Sequence, residues 1–318
     1  MNDLALSSPR LSTVGRGYLI ALVGTAIWST TAIFIRLLTA TYQLPPLVVA
    51  FWRDLFASAA LALTFAIAAP MLLRCERRHL RFLLAYGLLL AAFNALWTAS
   101  VALNGAAVAT VLAYSSPAYT TIMAWRLFEE RLDAPRLAAL ALSLIGCVLV
   151  SGAYDLAAWQ SNLFGIVVGL LGGVAFAGYS LMGKAAARRQ INSWTALVYI
   201  FALAAGLLLL FNLAAARLPA PWRQPSSELL ALGASLPGWG ILLVLALGPT
   251  IGGYGLYTLS LTYLPASVAN LIATLEPSLT AALAYLFLGE VLSGPQLAGS
   301  GLIIASLLLL RLGDSAAP

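Results

Sequence analysis

The stretch AAVATVLAYSSPAYTTIMAWRLFEERLDAPRL, residues 106–137, is the one from which the rest of the chain can be read, because it occurs twice. At 266–297 the sequence is ASVANLIATLEPSLTAALAYLFLGEVLSGPQL, and sliding one copy by 160 positions makes 11 of 32 residues identical. Pro117 falls on Pro277, Glu130 on Glu290 and Pro135 on Pro295. Each copy is an apolar run long enough to cross a bilayer, with a proline near its middle, a glutamate at its far end and a second apolar run behind it. A repeat of this length is a unit of architecture.

Composition says which architecture. Of 318 residues, 62% are hydrophobic and 9% charged, with a mean hydropathy of +0.94, whereas a water-soluble domain carries about 25% charged residues. The chain reads as an all-α, polytopic integral membrane protein, with membrane lipid as its surroundings. Cys75 beside a basic loop and Cys147 in an apolar run give neither a disulfide framework nor metal-ligand spacing, so no metal and no cofactor is expected. The net charge of +6 is better traced to loop topology than to a nucleic-acid partner, because so few charges are present.

Residues 1–16 are polar, and the apolar segment behind them lacks a small-residue cleavage site, so it reads as a retained helix and not a signal peptide. Apolar runs recur at 17–38, 46–69, 81–103, 106–128, 135–152, 163–187, 194–215, 238–263, 266–288 and 295–312, predicting ten transmembrane helices. They group as a tail over 1–16, a five-helix repeat over 17–152, a linker over 153–162, a second repeat over 163–312 and a tail over 313–318. Asn104-Gly105 and Leu264-Pro265 leave room only for tight hairpins.

With the N-terminus inside, 13 of the 17 Lys and Arg residues lie on the cytoplasmic side, Arg36, Arg217 and Arg223 lie outside, and Arg53 lies within a span. Both termini are therefore predicted to be cytoplasmic, in the cell inner (plasma) membrane. A five-helix unit ends on the side opposite its start, so the second copy inserts upside down. The charges agree: Arg126, Arg131 and Arg136 become Leu286, Val291 and Gln296 in the second copy. The first two helices of each half align at an offset of 148, placing Gly24 on Gly172, Trp28 on Phe176 and Arg36 on Lys184.

An inverted five-plus-five repeat, with a mid-helix proline and a terminal Glu followed by Leu-x-x-Pro-x-Leu, resembles the EamA-type drug/metabolite transporter superfamily. Arg53 in the second span and the pair Glu276-Pro277 add to the likeness, and the aromatic-rich helices look most like the YddG-like amino-acid exporters. The resemblance implies ten helices around a central cavity, helices 5 and 10 at the periphery, alternating access and outward transport.

Inverted repeats by themselves predict a substrate site near the bilayer midplane, at the junction of the halves. Pro117 and Pro277 each lack an amide proton and free the carbonyl four residues earlier, so both are expected to kink their helices as hinges. Glu276 lies near the midplane directly before one kink. Its carboxyl would titrate or hold a substrate ammonium, or else serve as a protonated structural group bonded to a helix carbonyl. Arg53 and Asp54 sit roughly 10 Å below the outer end of their helix, so they either reach the interface by snorkelling or form an internal ion pair or gate. Asn94, Trp97 and Ser100 recur at spacing three, and their mates at offset 160 are Tyr254, Tyr257 and Ser260. With Trp28, Tyr114, Ser116, Tyr179 and Asn270, these side chains are expected to line the cavity. Gly248-Pro249 and Gly252-Gly253 should break helix 8 where helix 3 has Leu88-Leu89 and Ala92-Phe93, making the halves mechanically unequal.

No intramembrane-enzyme motif is present, and the single histidine, His79, falls in a basic loop. A channel would not need two kinked, inverted halves. The expected function is export of small metabolites, foremost neutral and aromatic amino acids, by a monomer or homodimer. A multidrug or other metabolite exporter of the same fold is the alternative.

Overall fold

The computed structural model describes residues 13–159, 163–214, 229–288 and 291–315. The expectations placed on Arg10, Arg217, Arg223 and Glu290 fall outside these residues. The described chain is helical: α1 Thr13–Ser29, α2 Thr31–Arg36, α3 Pro46–Ala68, α4 Arg77–Ala113, α5 Ser116–Phe128, α6 Ala134–Ser151, α7 Leu163–Arg188, α8 Ser193–Ala214, α9 Leu236–Leu245, α10 Gly255–Ser260, α11 Ala266–Ala273, α12 Glu276–Leu288 and α13 Gly294–Ser315. Eight of the described helical segments are long and apolar enough to cross a membrane.

The two further spans expected at 106–128 and 266–288 are the segments that carry the prolines. Pro117 and Pro277 each stand in the first turn of a new helix, α5 and α12, where a missing amide proton costs nothing. The helices before them stop at Ala113 and Ala273, so an interruption of two residues replaces the expected kink in both places.

Local chemistry sets the other boundaries. The Asp133 side chain caps α6 by accepting from the Arg136 amide at 3.1 Å, with Pro135 in the first turn. The helix ends on Gly152 at φ 78, a left-handed position suited to glycine. Between α9 and α10 the backbone widens into a π-helix over Ala246–Tyr254, with Pro249 inside it and the Thr250 hydroxyl bonded to the Leu245 carbonyl, five residues back, at 2.8 Å. The corresponding part of α4 is ordinary α-helix. The expected inequality of the halves thus takes the form of a π segment.

At Asn104-Gly105 a tight hairpin was expected, and helical bonding continues through it without a break from Arg77 to Ala113. The path nevertheless turns back. Ser100 Oγ and Leu112 Cδ1 lie 2.7 and 2.5 Å from the point where a Gly169 Cβ would stand, whereas twelve residues of straight helix would separate them by about 18 Å. Asn104 secures the bend by donating to Ser100 Oγ at 3.0 Å and to the Gly165 carbonyl at 2.8 Å.

The repeat-related helices exchange partners, and at the tighter of the two contacts a glycine makes the approach possible. A Cβ on Gly24 of α1 would meet Leu256 Cβ at 2.9 Å and the Tyr257 amide at 3.2 Å, and one on Gly172 of α7 would meet Leu96 Cβ and the Trp97 amide, both at 3.7 Å. Positions 96–97 and 256–257 are mates at offset 160, so each half lends its first helix to the other. In lipid, where apolar burial drives little association, close backbone approach over small residues is what holds such pairs. The α6–α13 pair is built likewise, with Gly146 on the Gly299 carbonyl, and it forms the least buried spans, at 28% and 22%.

Cations gather at one end of the bundle. Arg16 sits over Tyr263, Arg189 over Phe82 and Arg311 over Tyr18. Arg188 donates to the Phe128 carbonyl at 2.9 Å, and Lys184 to those of Leu261 and Leu264 at 3.0 and 2.7 Å.

Candidate functional site: three polar knots and an aromatic plug

Arg53 and Asp54 stand on the buried face of α3, beside Asn94 of α4. Arg53 Nε donates to Asp54 Oδ1 at 3.3 Å and Nη2 to Asn94 Oδ1 at 2.9 Å, while Asn94 Nδ2 donates to Asp54 Oδ2 at 2.9 Å. The three side chains thus close a ring in which each group satisfies the next. Arg53 is 6% exposed and Asp54 0%, which replaces the snorkelling alternative with an internal pair. The physical reason is Asn94, which gives both charges hydrogen bonds at depth, where an unpaired charge would cost about 2.5–3.5 kcal/mol or more.

Beneath this ring lies an aromatic plug. Trp28 packs on Phe176, Tyr254 and Tyr257, with centroids 5.7, 4.5 and 5.7 Å away, and Tyr179 meets Tyr254 edge-on at 5.7 Å. Trp28 and Phe176, mates at offset 148, meet directly. These rings were expected to line a cavity. Here they fill it, with Tyr179, Tyr254 and Tyr257 at most 2% exposed.

Asn270 of α11 is the second knot. Its carbonyl accepts from Ser116 at 3.0 Å, and its amide donates to Thr120 at 3.0 Å and to Ser180 at 2.9 Å. Ser180 in turn lies 2.6 Å from the Tyr257 hydroxyl, so α5, α7, α10 and α11 share one hydrogen-bonded chain. The third knot joins the two helix interruptions: Tyr114 donates to Glu276, and Ser143 to Thr274 at 2.6 Å. The partner of Glu276 is thus a tyrosine of the other repeat, not a helix carbonyl.

The open space lies elsewhere. A small recess with an open mouth, its enclosed part of about 20 Å³ holding no more than a water-sized guest, is bordered by Ile35, Pro46, Val49, Arg53, Asn94, Trp97 and Thr98. Of the expected lining residues, Asn94 and Trp97 face it. Ser100 instead turns to Asn104. The recess, lined by Ile35 and Pro46, lies toward the end of the bundle away from the cations.

Glu130 was legible as a repeat marker but not as a functional group. It accepts from the amides of Ala266 at 2.7 Å and Ser267 at 3.2 Å, and from the Ser267 hydroxyl, capping the first turn of α11 from the other repeat. Thr120, Ser143 and Ser180 were also missed; the spacing of Ser116 and Thr120, one helical turn apart, was the available signal. Among the described residues no group of three His, Cys, Asp or Glu side chains could hold a metal.

Paired repeats of apolar, membrane-length helices with polar side chains buried at their junction mark a polytopic membrane protein. The sequence profile of the EamA-like transporter family matches residues 15–152 and again 163–312, and the chain belongs to that family. It is 29% identical over 301 residues to the uncharacterized transporter YwfM of Bacillus subtilis, covering 94% of each chain. An uncharacterized transporter of Archaeoglobus fulgidus is 29% identical over 249 residues, 77% of this chain and 82% of that one. A solved crystal structure superposes with a TM-score of 0.73 at 18% identity, over 95% of this chain and 99% of that chain, and shares the fold.

Proposed function

We propose that this transporter exports small uncharged or zwitterionic metabolites, foremost neutral and aromatic amino acids, by alternating access between two inverted halves of five helices each. The observation that carries the substrate reading is the charge balance of the interior. Around the plug, the described residues offer one neutralised pair, Arg53–Asp54, and one carboxyl, Glu276, amid tyrosine, tryptophan, hydroxyl and amide groups. A dianionic phosphate would need several cations at depth, whereas aromatic faces and hydrogen-bonding groups accept side chains of varied size. Liposomes holding the purified protein test it: saturable counterflow of methionine, phenylalanine or threonine is expected. Carriage of quaternary-ammonium drugs without any of these amino acids would overturn the reading in favour of a drug exporter.

The inverted arrangement draws support from Glu130. The end of one repeated motif caps the start of the other, as antiparallel copies require. The cation-rich end is taken as cytoplasmic on the positive-inside rule, which puts both termini inside and the cavity mouth outside. Cys75, between two spans and partly exposed, reports this. Burial, then the neighbouring Glu76 carboxylate, raises its thiol above the usual range, so less thiolate is present at neutral pH and alkylation should quicken steeply as pH rises. An impermeant maleimide should modify Cys75 in inverted membrane vesicles and not in intact cells. Modification of intact cells would reverse the topology.

The interruptions before Pro117 and Pro277 are the proposed hinges. Alanine at either position restores an amide proton that can bond the carbonyl freed at 113 or 273, stiffening the segment. Pro117→Ala and Pro277→Ala are expected to slow transport several-fold at unchanged abundance. Wild-type flux in both single variants at equal expression would remove the hinge role.

A further inference from the structure

We propose that Arg53 is the carboxylate-recognition residue of this carrier, receiving the carboxylate of a zwitterionic substrate in the cavity that it borders with Trp97. This assignment rests on the amino-acid reading above and deepens it. Three observations lead to it.

The first is an asymmetry within the ion pair. Arg53 borders the open cavity, whereas Asp54 is fully buried and does not. A guest entering the cavity therefore meets the cation of the pair and not the anion. A purely structural ion pair has no need of that arrangement.

The second is how the guanidinium is held. It carries five N–H donors in a planar fork; Asp54 engages Nε, Asn94 engages Nη2, and the Tyr254 hydroxyl takes a third bond. Donors remain on a side chain whose orientation is already fixed from behind. A carboxylate that binds there loses little entropy in ordering its partner, and the bond is charge-assisted. Asp54 also sets the charge class. With one carboxylate already 3.3 Å from Nε, the cluster has room for a monoanionic group, and a dianion would be repelled.

The third is the remainder of the wall. Trp97, Ile35 and Val49 supply apolar surface beside the cation, the complement of an amino acid's side chain next to its carboxylate. Behind the cation, Tyr254 bonds Arg53 and lies within electrostatic reach of Glu276, which the Tyr114 hydroxyl bonds.

The test is competition against radiolabelled phenylalanine counterflow in proteoliposomes, using phenylalanine, phenylalaninamide and phenethylamine, which share one ring and differ at the carboxylate. With the wild-type protein, phenylalanine should compete about tenfold or more better than the amide or the amine. In Arg53→Gln the three compounds should compete within about twofold of one another, and Arg53→Lys should restore part of the preference. Equal competition by acid and amide in the wild type, or an undiminished preference in Arg53→Gln, overturns the assignment and leaves the amino-acid reading standing. Absence of any phenylalanine or methionine counterflow overturns both. Should Arg53→Gln fail to accumulate, the wild-type series decides alone.

Discussion

Replacing Asp54 with leucine is expected to lower the stability of the detergent-solubilised protein by about 3–5 kcal/mol, the cost of leaving one member of a buried ion pair unpartnered. Asp54 is fully buried and receives bonds from both Arg53 and Asn94, so no water or lipid headgroup takes its place. In Asp54→Leu the guanidinium keeps its neutral partners, Asn94 at 2.9 Å and the Tyr254 hydroxyl, but no counter-charge, in surroundings where charge is costly. The double variant Arg53→Met/Asp54→Leu removes both charges and should recover most of the loss, because two apolar side chains of similar length cost lipid-embedded helices little. Thermal unfolding of the single and double variants, read as a double-mutant cycle, gives the coupling directly. A single variant within about 0.5 kcal/mol of wild type would show that the pair is solvated and not buried. The double variant separates stability from recognition, since it should fold and yet lose preference for a carboxylate.

How much of this was legible in the sequence divides along physical lines. The repeat, the apolar runs and the proline positions are local or periodic signals, and the structure interrupts helices at both expected places. Trp28 and Phe176, matched only by a faint offset, turn out to be in contact. What sequence could not supply was depth and partner choice. Arg53 looked close enough to an interface to snorkel because its own helix was the only ruler; its partner Asn94 is 41 positions away.

The aromatic residues teach a different limit. Helical spacing put Tyr254 and Tyr257 on an inward face, and inward they are. Whether inward means lining a cavity or filling it depends on how rings from several helices pack together, which spacing along one helix does not give. In this structure the rings close on one another, and the open space appears beside Asn94 and Trp97 instead. Similarly, Asn104-Gly105 has turn-forming residues, but Asn104 spends its side chain on the Gly165 carbonyl, a tertiary contact that lets helical bonding persist through the bend.

Glu130→Ala should shift the carrier toward the state open at the cation-rich end by about tenfold. The carboxylate caps α11 from the opposite repeat through two amides and one hydroxyl, and capping side chains contribute about 0.5–2 kcal/mol, with the helix dipole adding to a charged cap. Lys184 secures the same hairpin from its other strand of chain by donating to the Leu261 and Leu264 carbonyls, so an anion and a cation hold the two helix ends that favour them. Under the proposed alternating access, opening this end would part α5 from α11 and break the Glu130 bonds. Losing about 1.4 kcal/mol of them changes a two-state ratio tenfold. Ala124, fully buried on α5, serves as reporter: a cysteine there, with Cys75 and Cys147 replaced by alanine, should be alkylated about tenfold faster from the cation-rich side in Glu130→Ala. Glu130→Gln, which keeps the shape and one acceptor but not the charge, should fall between. A lowered melting temperature with no change in alkylation would reduce Glu130 to a structural cap and remove it from the transport cycle.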